Sequence, residues 1–152
     1  MLRGRFGDTS GRPYMAARVG LFSTGRFAEV SFLFDTGADI TLLMPMDSSA
    51  LGVDFTASSH VRVPLNGVGG AAWGVVLAGA LGFRGTDDSL YVYSIGNLIA
   101  AQPTAENVDV PSLLGRNIMD QWNVNYSPSE NTLTAIVRSA DFTFHGQNHP
   151  TP

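Results

Sequence analysis

No cysteine occurs in the 152 residues. That excludes disulfide bridges, zinc fingers, iron–sulfur ligation and thiol nucleophiles together, and it leaves the redox compartment undetermined. Charge is scarce as well: Asp, Glu, Lys and Arg make up 14% of the chain, against about 25% in an average soluble domain. The net charge is −4 and the nine basic residues are scattered singly, which excludes a binder of nucleic-acid phosphates. Long apolar runs are missing too. Nothing apolar follows the charged start, Met1-Leu2-Arg3-Gly4-Arg5-Phe6-Gly7-Asp8, so it is not a secretory signal. The uncharged run over residues 63–83 holds six glycines, a proline and an asparagine. It reads as two strands around a Gly-rich turn, not as the roughly 20 apolar residues of a spanning helix. These absences imply a cytoplasmic protein with neither nucleic acid nor membrane as partner. Of the three histidines, His145 and His149 are separated by Gly146 and followed by Pro150, which spoils a metal-binding helix. No Gly-x-Ser-x-Gly elbow occurs, and no Lys-Ser/Thr follows Gly67-Val68-Gly69-Gly70 to make a phosphate loop.

What is present is apolar and rich in turns. Hydrophobic residues make up 44%, enough for one sizeable core, and 17 Gly with 8 Pro favour strands over long helices. Residues 1–13 read as a flexible lead-in, 14–137 as one domain and 138–152 as a C-terminal tail. Runs 14–22 and 26–34 form a hairpin around Ser23-Thr24-Gly25. In the second run Ala28, Val30, Phe32 and Phe34 alternate with Glu29, Ser31 and Leu33, the period of a strand with one buried face. Pro45 and Asp47-Ser48-Ser49 mark a short helical turn that ends at Gly52. Residues 60–65 and 71–81 flank the tip Asn66-Gly67-Val68-Gly69-Gly70. Strands follow at 90–95 and 98–101. Residues 116–122 are the best helix, with Ile118, Met119 and Trp122 at helical spacing, and 124–126 with 132–137 form a last hairpin. Trp73 and Trp122 read as core or interface residues. The class is mainly β with one short C-terminal helix.

The chemistry concentrates in Phe32-Leu33-Phe34-Asp35-Thr36-Gly37-Ala38-Asp39. An acid at the end of a buried apolar strand is costly unless something requires it there. The Thr can hydrogen-bond across a tight turn, and the Gly lets another backbone approach the carboxylate. Asp and Gly are also ordinary turn residues. The segment resembles the active-site motif of retropepsin-like aspartic peptidases, in which apolar residues precede Asp-Thr/Ser-Gly-Ala. The tip 66–70 resembles that family's glycine-rich flap. Pro111-Ser112-Leu113-Leu114-Gly115-Arg116-Asn117 resembles its second hallmark, two apolar residues and Gly-Arg-Asn before a helix. The three segments stand in the family's order.

The resemblance implies a closed, barrel-like β fold with a flap hairpin, working as a homodimer on polypeptide substrates with no cofactor and no metal. Its catalytic residues would be Asp35, Thr36 and Gly37. Leu33, Ala38, Leu42, Gly67, Val68, Gly69 and Leu113 would contact substrate. Asp39, Gly115 and Arg116 would brace the site, the Asp39–Arg116 pair as an ion pair. Peptide hydrolysis by this route needs two carboxylates about one hydrogen bond apart. This chain has one Asp-Thr-Gly, since Asp8-Thr9-Ser10-Gly11 inserts a residue and lacks an apolar strand before it. A second copy related by a two-fold axis would supply the other Asp35.

The chain also departs from the family. It continues beyond the helix where viral members end, which resembles the cellular and bacterial branch. Either the hairpin 124–137 supplies the interface sheet, or the interface is built differently. The expected activity is that of an aspartic endopeptidase. Its rival is a catalytically weak or inactive dimerisation or peptide-binding module of the same fold, and a weaker third reading is a small β-barrel ligand binder.

Overall fold

The computed structural model describes residues 1–7, 9–66 and 72–146. In chain order the elements are β1 (Leu2–Arg3), β2 (Arg5–Phe6), β3 (Pro13–Leu21), β4 (Phe27–Phe34), β5 (Leu42–Leu43), α1 (Pro45–Ser48), β6 (Arg62–Leu65), β7 (Ala72–Arg84), β8 (Leu90–Ala101), β9 (Leu113–Leu114), α2 (Arg116–Met119), β10 (Trp122–Ser127), β11 (Thr132–Val137) and β12 (Phe142–Phe144). The mainly β class follows from the alternation in the sequence: in β4, Val30 and Phe32 are buried while Glu29 is exposed.

Six strands close on themselves. β8 pairs with β5, β5 with β9, β9 with β4, β4 with β3, β3 with β7, and β7 returns to β8. Within this ring β4–β9 and β5–β8 are parallel and the other pairs antiparallel. The barrel interior holds Val19, Phe32, Leu43, Leu81, Phe83, Tyr93, Leu114 and Ile118. Each large apolar side chain so buried contributes about 1.5–3 kcal/mol. Phe83 meets Trp122 edge-on, with centroids 4.9 Å apart, and Tyr93 lies 5.9 Å from Phe83. A separate three-stranded sheet, β1-β11-β10, stands beside the barrel.

The structure departs from the sequence expectations at several places. Residues 1–13 are not a loose lead-in: Leu2 is fully buried and paired with Ala135, Gly4 N–H donates to Leu133 O (2.8 Å), and β2 pairs with β3. Two-residue strands are too short to show a period, so only the tertiary contact reveals them. The segment 138–152 is not wholly a tail, because Phe142–Phe144 pairs with β8; residues 147–152 lie outside the described residues. The runs 90–95 and 98–101 are one strand. Gly96 and Asn97, between the two runs, are absorbed as an irregularity opposite Ala78, since Ile95 pairs with Gly79 and Leu98 with Leu77. The helix 116–122 stops at Met119. Trp122 opens β10 instead, because its ring is 5% exposed and its indole N–H donates to the Tyr93 hydroxyl (2.7 Å). Trp73 is 54% exposed on β7, which excludes the core and keeps the interface of the two placements expected for it. The helical turn expected from Pro45 to Gly52 starts at Pro45 as read, and its helical part is the single turn α1, which ends at Ser48.

Candidate active site

Asp35 follows directly on β4. Its position is set from both sides of that strand, because β4 pairs antiparallel with β3 (Tyr14↔Leu33) and parallel with β9 (Leu33↔Leu113, Phe34↔Leu114). Leu33 N–H donates to Ser112 O (2.8 Å) and Asp35 N–H to Leu114 O (3.2 Å). The strand then stops because the acid folds the chain back on itself. Gly37 N–H donates to Asp35 Oδ1 (2.9 Å) and Ala38 N–H to Asp35 O (3.1 Å). A Cβ on Gly37 would meet Asp35 Oδ1 at 3.2 Å, so glycine allows this close approach. Asp35 and Ala38 are half-buried; Thr36 and Gly37 are exposed.

The second hallmark segment docks against this loop. Arg116 N–H donates to Ala38 O (2.8 Å) and Asn117 N–H to Asp39 O (3.1 Å). Behind them sits Thr41, fully buried. Its hydroxyl donates to Asn117 Oδ1 (3.0 Å) and accepts Gly115 N–H (3.2 Å). The Arg116 guanidinium and the Asp39 carboxylate also pair. With side chains 50% and 80% exposed, such a pair contributes about 0–1 kcal/mol. The main-chain bonds and buried Thr41 therefore do most of the bracing, at about 1 kcal/mol per bond and more where a buried partner would be orphaned. On the far side of β9, buried Ser112 accepts Met44 N–H (2.9 Å) and donates to Asp47 (2.6 Å), fixing the start of α1.

A cavity of about 400 Å³ opens at the Asp35 turn. Asp35, Gly37, Ala38, Asp39, Ile40, Leu42, Met44 and Leu113 line one side, and Leu65, Asn66 and Ala72 at the ends of the β6–β7 hairpin line another. Leu33, Leu42 and Leu113 meet in one cluster around Met44 and Ala101. Thus the fold brings Asp35, Gly37, Ala38, Asp39, Leu42 and Leu113 to one cavity. Leu33 packs beneath it, Gly115 and Arg116 stand behind the loop, and Thr36 lies exposed beside it. Gly67, Val68 and Gly69 lie outside the described residues. Sequence reasoning missed Thr41, Ser112, Ile40 and Met44. Asn117 was visible in the Gly-Arg-Asn segment but carried no role. Asn107, also in the lining, turns its amide onto its own loop, accepting Thr104 N–H (2.8 Å) and donating to Gln102 O (3.0 Å).

Among the described residues no group of three His, Asp or Glu is placed to hold a metal ion, and no helix is long and apolar enough to cross a membrane.

No protein-family model and no curated protein sequence matches the chain. Among solved structures it is similar to a retropepsin-like aspartic protease from Rickettsia conorii. The two are 20% identical with a TM-score of 0.50, over 89% of this chain and 88% of the other. EIAV protease complexed with the inhibitor HBY-793 is similar at 17% identity and a TM-score of 0.43, over 75% of this chain and 90% of that one. A six-stranded closed barrel, with the acid-bearing turn after β4 hydrogen-bonded to the start of α2 after the neighbouring β9, gives this chain a retropepsin-like fold.

Proposed function

We propose that the chain is an aspartic endopeptidase whose active site forms when two copies bring their Asp35 carboxylates together. The observation that carries this reading is the Asp35 turn itself. Asp35, its Oδ1 held by the Gly37 amide, sits half-buried at a cavity of about 400 Å³ lined mainly by apolar residues, with Asp39 paired to Arg116 at its side. One carboxylate is half of the required machinery. Two within a hydrogen bond of each other resist double ionisation and share one proton. The ionised member takes a proton from water as its oxygen attacks the scissile carbonyl carbon. The protonated member gives its proton to the carbonyl oxygen. Collapse of the resulting gem-diol returns a proton to the amine as the C–N bond breaks.

In this reading Thr36, exposed at the turn, hydrogen-bonds across the dimer, and the Gly37 backbone contacts the peptide. Leu33, Leu42 and Leu113 shape apolar subsites, and the β6–β7 hairpin is the flap. The test is cleavage of a mixed peptide library by the purified protein across pH, with Asp35→Asn as control. A bell-shaped profile on the acidic to near-neutral side is expected, with a loss of about 10²–10⁴-fold in the variant while its oligomeric state is unchanged. Equal cleavage by Asp35→Asn refutes the reading. A folded, dimeric protein that binds peptides without cutting them favours the binding-module reading.

A further inference from the structure

We infer that the outside of the barrel carries a second site, a trough that binds a single-chain anionic amphiphile, its head on Arg3, Arg18 and Arg84 and its hydrocarbon along the outer face of β3 and β7. The inference stands apart from the peptidase reading, because the trough shares no lining residue with the Asp35 cavity. Its volume is about 510 Å³, within the range of small-molecule sites. Register explains the hollow. Phe27, Gly20, Ala80 and Ser94 form one cross-strand row over β4, β3, β7 and β8, and Glu29, Arg18, Gly82 and Val92 form the next. Directly opposed residues share a face, so Gly20, Ala80 and Gly82 leave a low floor between taller neighbours. The Phe27 ring leans over Gly20, where a Cβ would lie 2.7 Å from its Cε1, yet Phe27 stays 71% exposed. On the other flank β12 extends the wall: Phe142 stands opposite Val92 and Phe144 opposite Leu90, and the two rings are 58% and 59% exposed.

Charge decides the head group. Three of the chain's nine basic residues line this one trough against a single carboxylate, Glu29, in a protein of net charge −4. Glu29 engages Arg18 only through Nε (3.2 Å), Asp88 lies 4.0 Å from Arg84, and Arg3 makes no ion pair among the described residues. Guanidinium groups so placed take a carboxylate or phosphate through paired N–H donors. The main chain decides the body. β3 lies between β4 and β7, and β7 between β3 and β8, so the backbone of the floor is already paired. An extended peptide laid there would leave its own amides unpaired on an apolar surface, which is costly; a hydrocarbon chain has none to leave. A concave site of this size also encloses one chain, where a bilayer presents a plane.

The test is calorimetric titration of the full chain with dodecanoate below its micelle concentration, beside octanoate, acetate and the dodecyltrimethylammonium cation, with amide NMR to place the ligand. One dodecanoate should bind per subunit, and affinity should fall about three- to fourfold for each methylene removed. Acetate and the cation should not bind. Ala80→Leu, which fills the floor, and the double variant Arg18→Gln/Arg84→Gln should each weaken dodecanoate at least tenfold while thermal unfolding stays that of the wild type. Arg138→Gln, outside the trough, should leave affinity unchanged. Amide shifts should gather at Gly20, Ala80 and Gly82. Shifts at Gly37 and Ala38 instead, equal binding of the cation, or a folded protein that ignores dodecanoate overturns the inference. Binding of anionic phospholipid vesicles or of a poly-glutamate peptide without binding of dodecanoate overturns it too, in favour of a membrane or a protein partner. None of these outcomes bears on the peptidase reading, which stands or falls on cleavage by the wild type against Asp35→Asn.

Discussion

Replacing Gly115 with alanine adds a single methyl group at the junction between the acid-bearing loop and α2. The Gly115 backbone, φ −91° and ψ 172°, is accessible to any residue, so conformation alone does not require glycine. Space does. A Cβ there would lie 2.3 Å from the Ile40 carbonyl carbon, 2.4 Å from its oxygen and 2.8 Å from its Cα, all backbone atoms. Restoring ordinary contact requires a shift of about 1 Å between residues 38–41 and 115–117. That shift takes the bonds from Arg116 N–H to Ala38 O (2.8 Å) and from Asn117 N–H to Asp39 O (3.1 Å) beyond hydrogen-bond range. Two lost bonds at about 1 kcal/mol each, added to about 1–3 kcal/mol for overpacking, give a destabilisation of about 3–5 kcal/mol. For a chain of this length that lowers the midpoint of thermal unfolding by about 6–20 °C. Urea unfolding followed by circular dichroism measures it. Gly96→Ala is the matched control, since a Cβ at Gly96 meets nothing within 4 Å; it should be neutral or stabilising by about 0.5–1 kcal/mol. Because the displaced atoms carry the Asp35 turn, peptide cleavage by Gly115→Ala should fall about a hundredfold even at temperatures where the variant is folded. Stability within 1 kcal/mol of wild type, together with full activity, would refute the steric argument.

Thr41→Val keeps the shape of a buried side chain but leaves Asn117 Oδ1 and Gly115 N–H without their partner; a loss of about 1–3 kcal/mol by urea unfolding is expected, and no loss would show that the loop is braced elsewhere. Tyr93→Phe removes the hydroxyl that accepts the Trp122 indole N–H and donates to Ser139 O (2.7 Å), with an expected cost of about 1–3 kcal/mol. Burial pushes the Tyr93 hydroxyl above its ordinary value of 10.0, so its contribution is complete below pH 10 and is lost as pH rises beyond it. Alkaline unfolding monitored by Trp fluorescence should therefore be less steep in Tyr93→Phe. On the acid side, the Ser89 amide and hydroxyl hold the Asp87 carboxyl below its ordinary value of 3.8, so the 85–89 turn is supported above that pH and loosens as pH falls through the lowered value. Amide exchange at Ser89, corrected for its intrinsic pH dependence, should rise only in that acidic window and lose this dependence in Asp87→Asn.

Much of this molecule is legible in one dimension because the relevant physics is local. Alternation at Ala28, Val30 and Phe32 marks β4 whatever it packs against, and Asp35-Thr36-Gly37 marks its end because the turn closes through the acid's own carboxylate and an amide two residues on. The hairpin β10–β11 is likewise written in its flanking strands and the Pro-Ser-Glu between them. Other features exist only through contacts across the chain. Leu2 becomes a core residue because Ala135 comes to lie opposite it, and two residues carry no period to announce that. Trp122 leaves the helical register because the Tyr93 hydroxyl and the Phe83 ring await it inside the barrel. The bracing of the acid by Thr41 and Asn117, 76 positions apart, and the closure of β8 onto both β5 and β7 are likewise tertiary events. A residue's neighbours along the chain decide the turn it makes; which distant atoms satisfy its buried polar groups is decided only when the barrel closes.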